Sequence, residues 1–169
     1  HTLDVLEVTN EIALLEQVSP ADRLLLGIAA LFHDIGFVQS RSDHELVSCE
    51  MAREFLPQFG VEPEAVNQIC GMVMATKIPQ NPQNFLESIL CDADLDYLGR
   101  RDFHQIANLL FMELKAYDIL HDEQAWNRLQ VIFMKSHQYF TKTNQERRGS
   151  SKAKHLEEVI SRLSPHFHE

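Results

Sequence analysis

The chain has 169 residues, a formal net charge of −10 and 44% hydrophobic residues. That length suits one domain over residues 1–169, and the apolar fraction excludes a disordered or collagen-like chain. The longest apolar run, residues 24–32, falls well short of the ~20 residues a transmembrane helix needs, and six Gly with six Pro are too few for a turn-rich all-β chain.

The acidic balance argues against a nucleic-acid polymer as partner, because backbone binding rests on Lys and Arg neutralising phosphates. It leaves room for a small phosphate-bearing ligand, since one metal ion can reverse the sign of a pocket. Cys49, Cys70 and Cys91 form no CxxC and cannot all pair, which fits a reduced, cytoplasmic compartment. No signal peptide or lipidation motif stands out. The chain opens on His1 rather than Met, so residues upstream are expected.

Apolar residues recur at helical spacing almost throughout. Leu3, Leu6, Ile12, Leu15 and Val18 define a first helix over about residues 2–18. Ser19-Pro20 reads as an N-cap followed by Pro at the first helical position. The helix that follows is apolar around much of its girth from Leu24 to Phe32, predicts burial, and stops near Gly36. Asp43 caps a third helix through Leu46, Met51, Ala52, Phe55 and Leu56, ended by Gly60. Pro63 opens a fourth, ending near Thr76-Lys77, and residues 78–84 form a loop. Further helices are expected over about 85–98, 102–120, 123–140 and 144–163, with Gly149 a weak point in the last. Trp126, Leu129, Ile132 and Phe133 read as a core stripe. Period-two alternation is absent, so the expectation is an all-α, compact single-domain helical bundle.

Chemistry concentrates in three places. His33-Asp34 ends the most apolar helix, where an ionisable pair is costly unless compensated; imidazole and carboxylate are both good ligands for divalent ions. The bland alternative is a solvated helix end. Asp92, Asp94 and Asp96 fall within five residues among apolar neighbours, so at least one carboxylate should face inward and want a cation or a donor. His1 opens the first helix, and alone it carries no weight.

In this order and spacing the three places resemble the HD-domain metal-dependent phosphohydrolase superfamily, with its H…HD…D pattern. The residues that carry the likeness are His1-Thr2-Leu3-Asp4-Val5, the run Ala29-Ala30-Leu31-Phe32-His33-Asp34-Ile35-Gly36-Phe37, and Leu90-Cys91-Asp92-Ala93-Asp94-Leu95. His44-Glu45-Leu46-Val47-Ser48 and the stretch Asp94–Arg100 support it. The likeness spans residues 1 to about 100, and Ser136–Thr141 looks like a subgroup of predicted HD phosphohydrolases. It implies a compact all-α fold with a divalent ion held by His1, His33, Asp34 and one later Asp. The Ala93-Asp94 pair after Ile89-Leu90 favours Asp94, whereas counting back from Tyr97-Leu98 favours Asp92. Asp94 is preferred, with the other orienting a ligand or a water.

Two imidazoles and two carboxylates make a borderline-hard site, open to Mn, Fe, Ni, Co or Mg. The implied activity is hydrolysis of a phosphomonoester or phosphodiester of a small, nucleotide-like substrate by attack of metal-activated water. Asp34 and His44 are the candidate catalytic residues, His44 touching the phosphate or extending the metal site. Lys77 is read as satisfying helix-end carbonyls, Arg100 and Arg101 as pairing with Asp96 and Asp102 or binding phosphate, and the basic set Lys142, Arg147, Arg148, Lys152 and Lys154 as a solvated face. His104, His121, His137, His155, His166 and His168 are given structural or surface roles. The competing reading is a non-catalytic signalling or ligand-binding module on the same fold. Oxidative chemistry at a di-iron centre lacks His ligands, since only His44 lies between Asp34 and Asp92. Membrane partners are not expected, and an exposed apolar stripe leaves a homodimer open.

Overall fold

The computed structural model describes residues 1–163. Among them every regular element is helical, with eight α-helices, three short 3-10 turns and no strand, so the all-α expectation holds. No helix among the described residues is long and apolar enough to cross a membrane. The chain groups into two compact units. The first is His1–Leu95 with Phe140–Thr143, and the second takes Asp96–Tyr139 and residues 144–163.

The first unit holds α1 (Thr2–Leu15), α2 (Pro20–Phe32), α3 (His44–Phe55), α4 (Pro63–Ala75) and α5 (Phe85–Asp94). Local chemistry sets their starts. The Ser19 hydroxyl accepts from the Asp22 N–H at 3.1 Å and donates to the Asp22 carboxylate at 2.8 Å, closing the N-terminus of α2 with Pro20 at its first position. Asn84 does the same for α5: its side chain accepts from the Glu87 N–H at 3.0 Å and donates to the Glu87 carboxylate at 2.8 Å. Gly60 ends the turn after α3 at a φ of 76°, a left-handed conformation that favours glycine.

The core of this unit joins one face of each helix: Val5 and Ile12 of α1, Leu26 and Ala30 of α2, Ala52 of α3, Ile69 and Val73 of α4, Ile89 and Leu90 of α5. Burying an aliphatic side chain of this size contributes about 1.5–3 kcal/mol. Helix α2 is less buried than its apolar girth predicts. Leu26, Ala29 and Ala30 face the core, while Leu24 and Leu31 are 66% and 44% exposed. Ala at two core-facing positions lets neighbouring helices approach, and the large Leu side chains are left to the outer face.

In the second unit lie α6 (Phe103–Ala116), α7 (Glu123–Ser136) and most of α8 (Lys142–Ser161). Trp126 is buried and stacks on Phe111, with centroids 5.8 Å apart. Val131 and Met134 complete the inner face of α7, whereas Leu129 and Ile132, expected in a core stripe, are exposed. Helix α7 ends at Ser136 rather than near residue 140, because His137 turns to extended backbone. Helix α5 likewise ends at Asp94, and residues 96–99 form a 3-10 turn.

The basic residues of α8 are not simply a solvated face. Arg148 donates to buried Asp96 at 2.8 Å beside Asn144 at 3.1 Å, and Lys152 donates to the His137 carbonyl. Arg100 pairs with Asp102, at 2.9 and 2.6 Å. His104 meets Glu158 at 2.7 Å, His155 meets the Leu98 carbonyl at 2.9 Å, and His121 meets Asp118 at 2.9 Å. His166 and His168 lie outside the described residues.

Candidate metal centre

Helix α2 ends with Phe32, and the chain turns at His33-Asp34 into the 3-10 turn Ile35–Val38. Ser48 of α3 ties this turn down. Its hydroxyl donates to the His33 carbonyl at 3.0 Å and accepts from the Gly36 N–H at 2.9 Å. Gly36 is obligatory there, since a Cβ would lie 2.0 Å from the His44 carbonyl oxygen. The start of α3 thus packs directly on the backbone after the doublet, and this brings His44 to Asp34.

The His33 imidazole is 1% exposed. Its Nδ1–H donates to the Ala30 carbonyl at 2.7 Å, so the Nε2 lone pair points away from α2. There it meets His1 Nε2 at 3.3 Å and Asp94 Oδ1 at 3.6 Å, while His1 Nε2 lies 3.0 Å from Asp94 Oδ1. Asp34 Oδ2 sits 3.5 Å from His1 Nε2 and 3.4 Å from His33 Nε2. The other Asp34 oxygen is 3.4 Å from His44 Nε2. Four residues from three parts of the chain therefore converge, and His44 stands at their edge. His1, His33 and Asp94 offer ligand atoms all within 4.8 Å of one another, the one such group among the described residues.

The electrostatics match a site waiting for a cation. Burial pushes the Asp94 carboxyl up to about 6; the Asp34 charge adds to this, while His33 and His44 oppose it. Burial opposes charge on His33, but the hydrogen bond to Asp34 and the charges of Asp94 and Asp34 outweigh it and raise its pKa. Each of these groups shares its proton with neighbours that a divalent ion would satisfy instead.

The donor set fits such an ion. Ligands about 2.0–2.2 Å from a metal and 90–109° apart are about 2.8–3.6 Å from each other. The observed separations of 3.0, 3.3 and 3.6 Å match that triangle. Imidazole and carboxylate are both ligands for divalent metal ions.

Asp92 and Asp94, left open by the sequence, occupy different surroundings. Asp94 faces the imidazoles. Asp92 is fully buried and accepts from the Phe140 N–H at 2.8 Å, the Thr141 N–H at 2.8 Å and the Thr141 hydroxyl at 2.6 Å. Asp92 thus fastens residues 140–141 to α5, and Asp94 is the aspartate that the fold brings to the imidazoles. Lys77, read as a helix-end cap, instead reaches Asp43 at 3.1 Å. The sequence assigns Ser48 and Glu45 no individual role and marks Gly36 only as a helix stop. Their spacing from His44 and the doublet was a usable signal, since His44 and Ser48 are one helical turn apart.

Residues 1–96 match the HD domain family. No curated protein and no solved structure matches the chain. Because the matched stretch covers more than half of the 169 residues and contains His1, His33, Asp34, His44 and Asp94, the chain belongs to the HD domain family.

Proposed function

We propose that the protein is a metal-dependent phosphohydrolase acting on a phosphomonoester or phosphodiester of a small nucleotide-like substrate. The observation that carries this reading is the convergence of His1, His33 and Asp94, with Asp34 beside them, in a chain of the HD domain family. His1, His33, Asp34 and Asp94 would hold one divalent ion. Such an ion supplies Lewis acidity: it polarises a phosphoryl oxygen, offsets its charge and lowers the pKa of water.

The chain's own residues do the rest. Ala30 fixes the His33 tautomer through its carbonyl. Asp34 presents one oxygen to the imidazoles and the other to His44, so His44 is held at the rim of the cluster. The Phe37 ring stacks on His44 with centroids 3.7 Å apart and restrains its plane. From there His44 contacts the phosphate of a bound ester.

A metal-by-substrate screen tests this reading. Purified protein is loaded with Mn, Fe, Co, Ni or Mg and offered nucleoside monophosphates, triphosphates, cyclic nucleotides and a generic phosphodiester. Turnover that disappears in Asp34→Ala supports the proposal. Turnover retained in that variant overturns the mechanism. Stoichiometric metal with no turnover of any substrate favours a non-catalytic ligand-binding module.

A further inference from the structure

The 3-10 turn after the doublet presents an aromatic ring at the rim of the metal cluster. The Phe37 N–H donates to the Asp34 carbonyl at 3.1 Å, and the turn is held by the Ser48 hydroxyl on the Gly36 N–H. One face of the Phe37 ring lies on the His44 imidazole, with centroids 3.7 Å apart and planes 17° from parallel. Yet Phe37 is 45% exposed, and with His44 covering one face that exposure belongs to the opposite face and the ring edge. Val38 beside it is 74% exposed. Single exposed apolar side chains are ordinary. This ring differs because the imidazole it touches lies 3.4 Å from Asp34 of the cluster.

The charge of this unit limits what else can hold a substrate. Residues 1–95 carry fifteen acidic side chains against four basic ones, Arg23, Arg41, Arg53 and Lys77. Lys77 is engaged with Asp43. A divalent ion offsets the charge of one phosphate, but further phosphates would meet a negative surface. Affinity for the rest of an ester therefore has to come from uncharged contacts. A flat ring gains such contact by stacking on an aromatic face. That contact is worth most when the platform is already in place, as the hydrogen-bonded turn makes it.

We propose that Phe37 determines specificity: its outer face stacks on the base of a nucleoside monophosphate whose phosphate lies at the metal cluster, beside His44. The proposal rests on the phosphohydrolase reading for its chemistry and names the substrate class of the same site. That class is a monophosphate ester carrying a flat ring, in preference to an aliphatic ester or a triphosphate.

The test compares adenosine monophosphate, ribose 5-phosphate, which lacks the base, and adenosine triphosphate, each with manganese-loaded protein. Calorimetry gives dissociation constants where there is no turnover, and phosphate release gives KM where there is. Wild type is expected to favour adenosine monophosphate about tenfold over each of the other two. In Phe37→Ala and Phe37→Leu its advantage over ribose 5-phosphate is expected to fall to within about twofold, and Phe37→Trp is expected to keep it. A ring that acts only by restraining His44 would weaken both esters alike and leave the ratio as it is. Equal affinity of wild type for adenosine monophosphate and ribose 5-phosphate overturns the proposal, and this result needs no variant to fold. A ratio preserved in Phe37→Leu, tighter binding of the triphosphate, or no binding of any of the three overturns it too. Base-dependent binding that Phe37→Leu abolishes, with no turnover of any ester by wild type, supports Phe37 as the stacking residue and counts against the phosphohydrolase reading.

Discussion

The Nδ1–H of His33 donates to the carbonyl of Ala30 at 2.7 Å, three residues back on the same helix. An imidazole at the end of an apolar helix can turn either nitrogen outward. This bond selects Nε2, and it is made to the backbone of α2 and not to a distant part of the chain. The site is therefore prepared on its donor side by local structure and completed by distant residues, His1 and Asp94.

The two aspartates of α5 are expected to separate cleanly on substitution. Asp94→Asn should reduce bound divalent metal from about one ion per chain to a small fraction while the fold is retained. Asp92→Asn should keep the ion but lower stability by about 2–4 kcal/mol, because three donors from Phe140 and Thr141 lose a charged acceptor. Metal analysis and thermal melts of the two purified variants check this. Loss of metal in Asp92→Asn alone would reverse the assignment.

Metal binding should stabilise the protein more at pH 8 than at pH 5. Without a cation, Asp94 and His33 both bind protons more tightly in the folded chain than when unfolded. Their contribution is therefore present at low pH and is lost as pH rises, for Asp94 through about 6. A divalent ion displaces those protons, so its binding strengthens over the same range. At about 100 times its dissociation constant an ion adds about 2.7 kcal/mol. Melting curves with and without metal at the two pH values measure the difference, and equal shifts at both would contradict it.

Gly36→Ala should be among the most damaging single-methyl additions. The new Cβ would meet the His44 carbonyl oxygen at 2.0 Å and the Ser48 nitrogen at 2.8 Å, both backbone atoms that cannot swing aside. A loss of about 3 kcal/mol or more is expected. Ser48→Ala removes the link between the His33 carbonyl and the Gly36 N–H and should cost about 1–3 kcal/mol. Denaturant unfolding of both variants tests the pair; a neutral Gly36→Ala would show that α3 does not seat on the doublet's turn.

In the second unit, His137 should make stability sensitive to acid. Burial, with a smaller push from the Lys152 charge, lowers its pKa to about 3 from an ordinary 6.5. Both ring nitrogens are buried without a hydrogen-bond partner. The unfolded chain therefore takes up the proton first. Stability contributed by neutral His137 is complete above about pH 6.5 and is lost as pH falls toward 3, with a slope up to about 1.4 kcal/mol per pH unit. The difference in unfolding free energy between wild type and His137→Phe should be flat above pH 7 and change steadily below 6.5. A pH-independent difference would refute it.

Local signals were legible in the sequence because their causes are local. Ser19-Pro20, Pro63 and Gly60 mark helix ends through backbone geometry and nearby hydrogen bonds, and the structure has them there. Helical periodicity established an all-α chain, and the order His1, His33-Asp34, then an aspartate of α5 established the family pattern. What periodicity could not decide was which apolar face would be covered. Leu24, Leu129 and Ile132 are apolar at helical spacing yet exposed, since burial depends on where another helix arrives. Helix α7 was drawn too long because nothing in its own residues shows that the Asp92 carboxylate takes up the Phe140 and Thr141 N–H groups.

The sequence by itself determined the inventory: helices, their caps, an acidic chain, and a small set of imidazoles and carboxylates in a known order. Only the tertiary structure decided their roles. Asp92 and Asp94 are two residues apart on one helix and so point to different sides of it. Packing turned one toward His1 and His33 and the other toward Phe140 and Thr141. The charge of −10 is the same whichever way they face; that local geometry makes one of those carboxylates a candidate metal ligand and another a structural anchor.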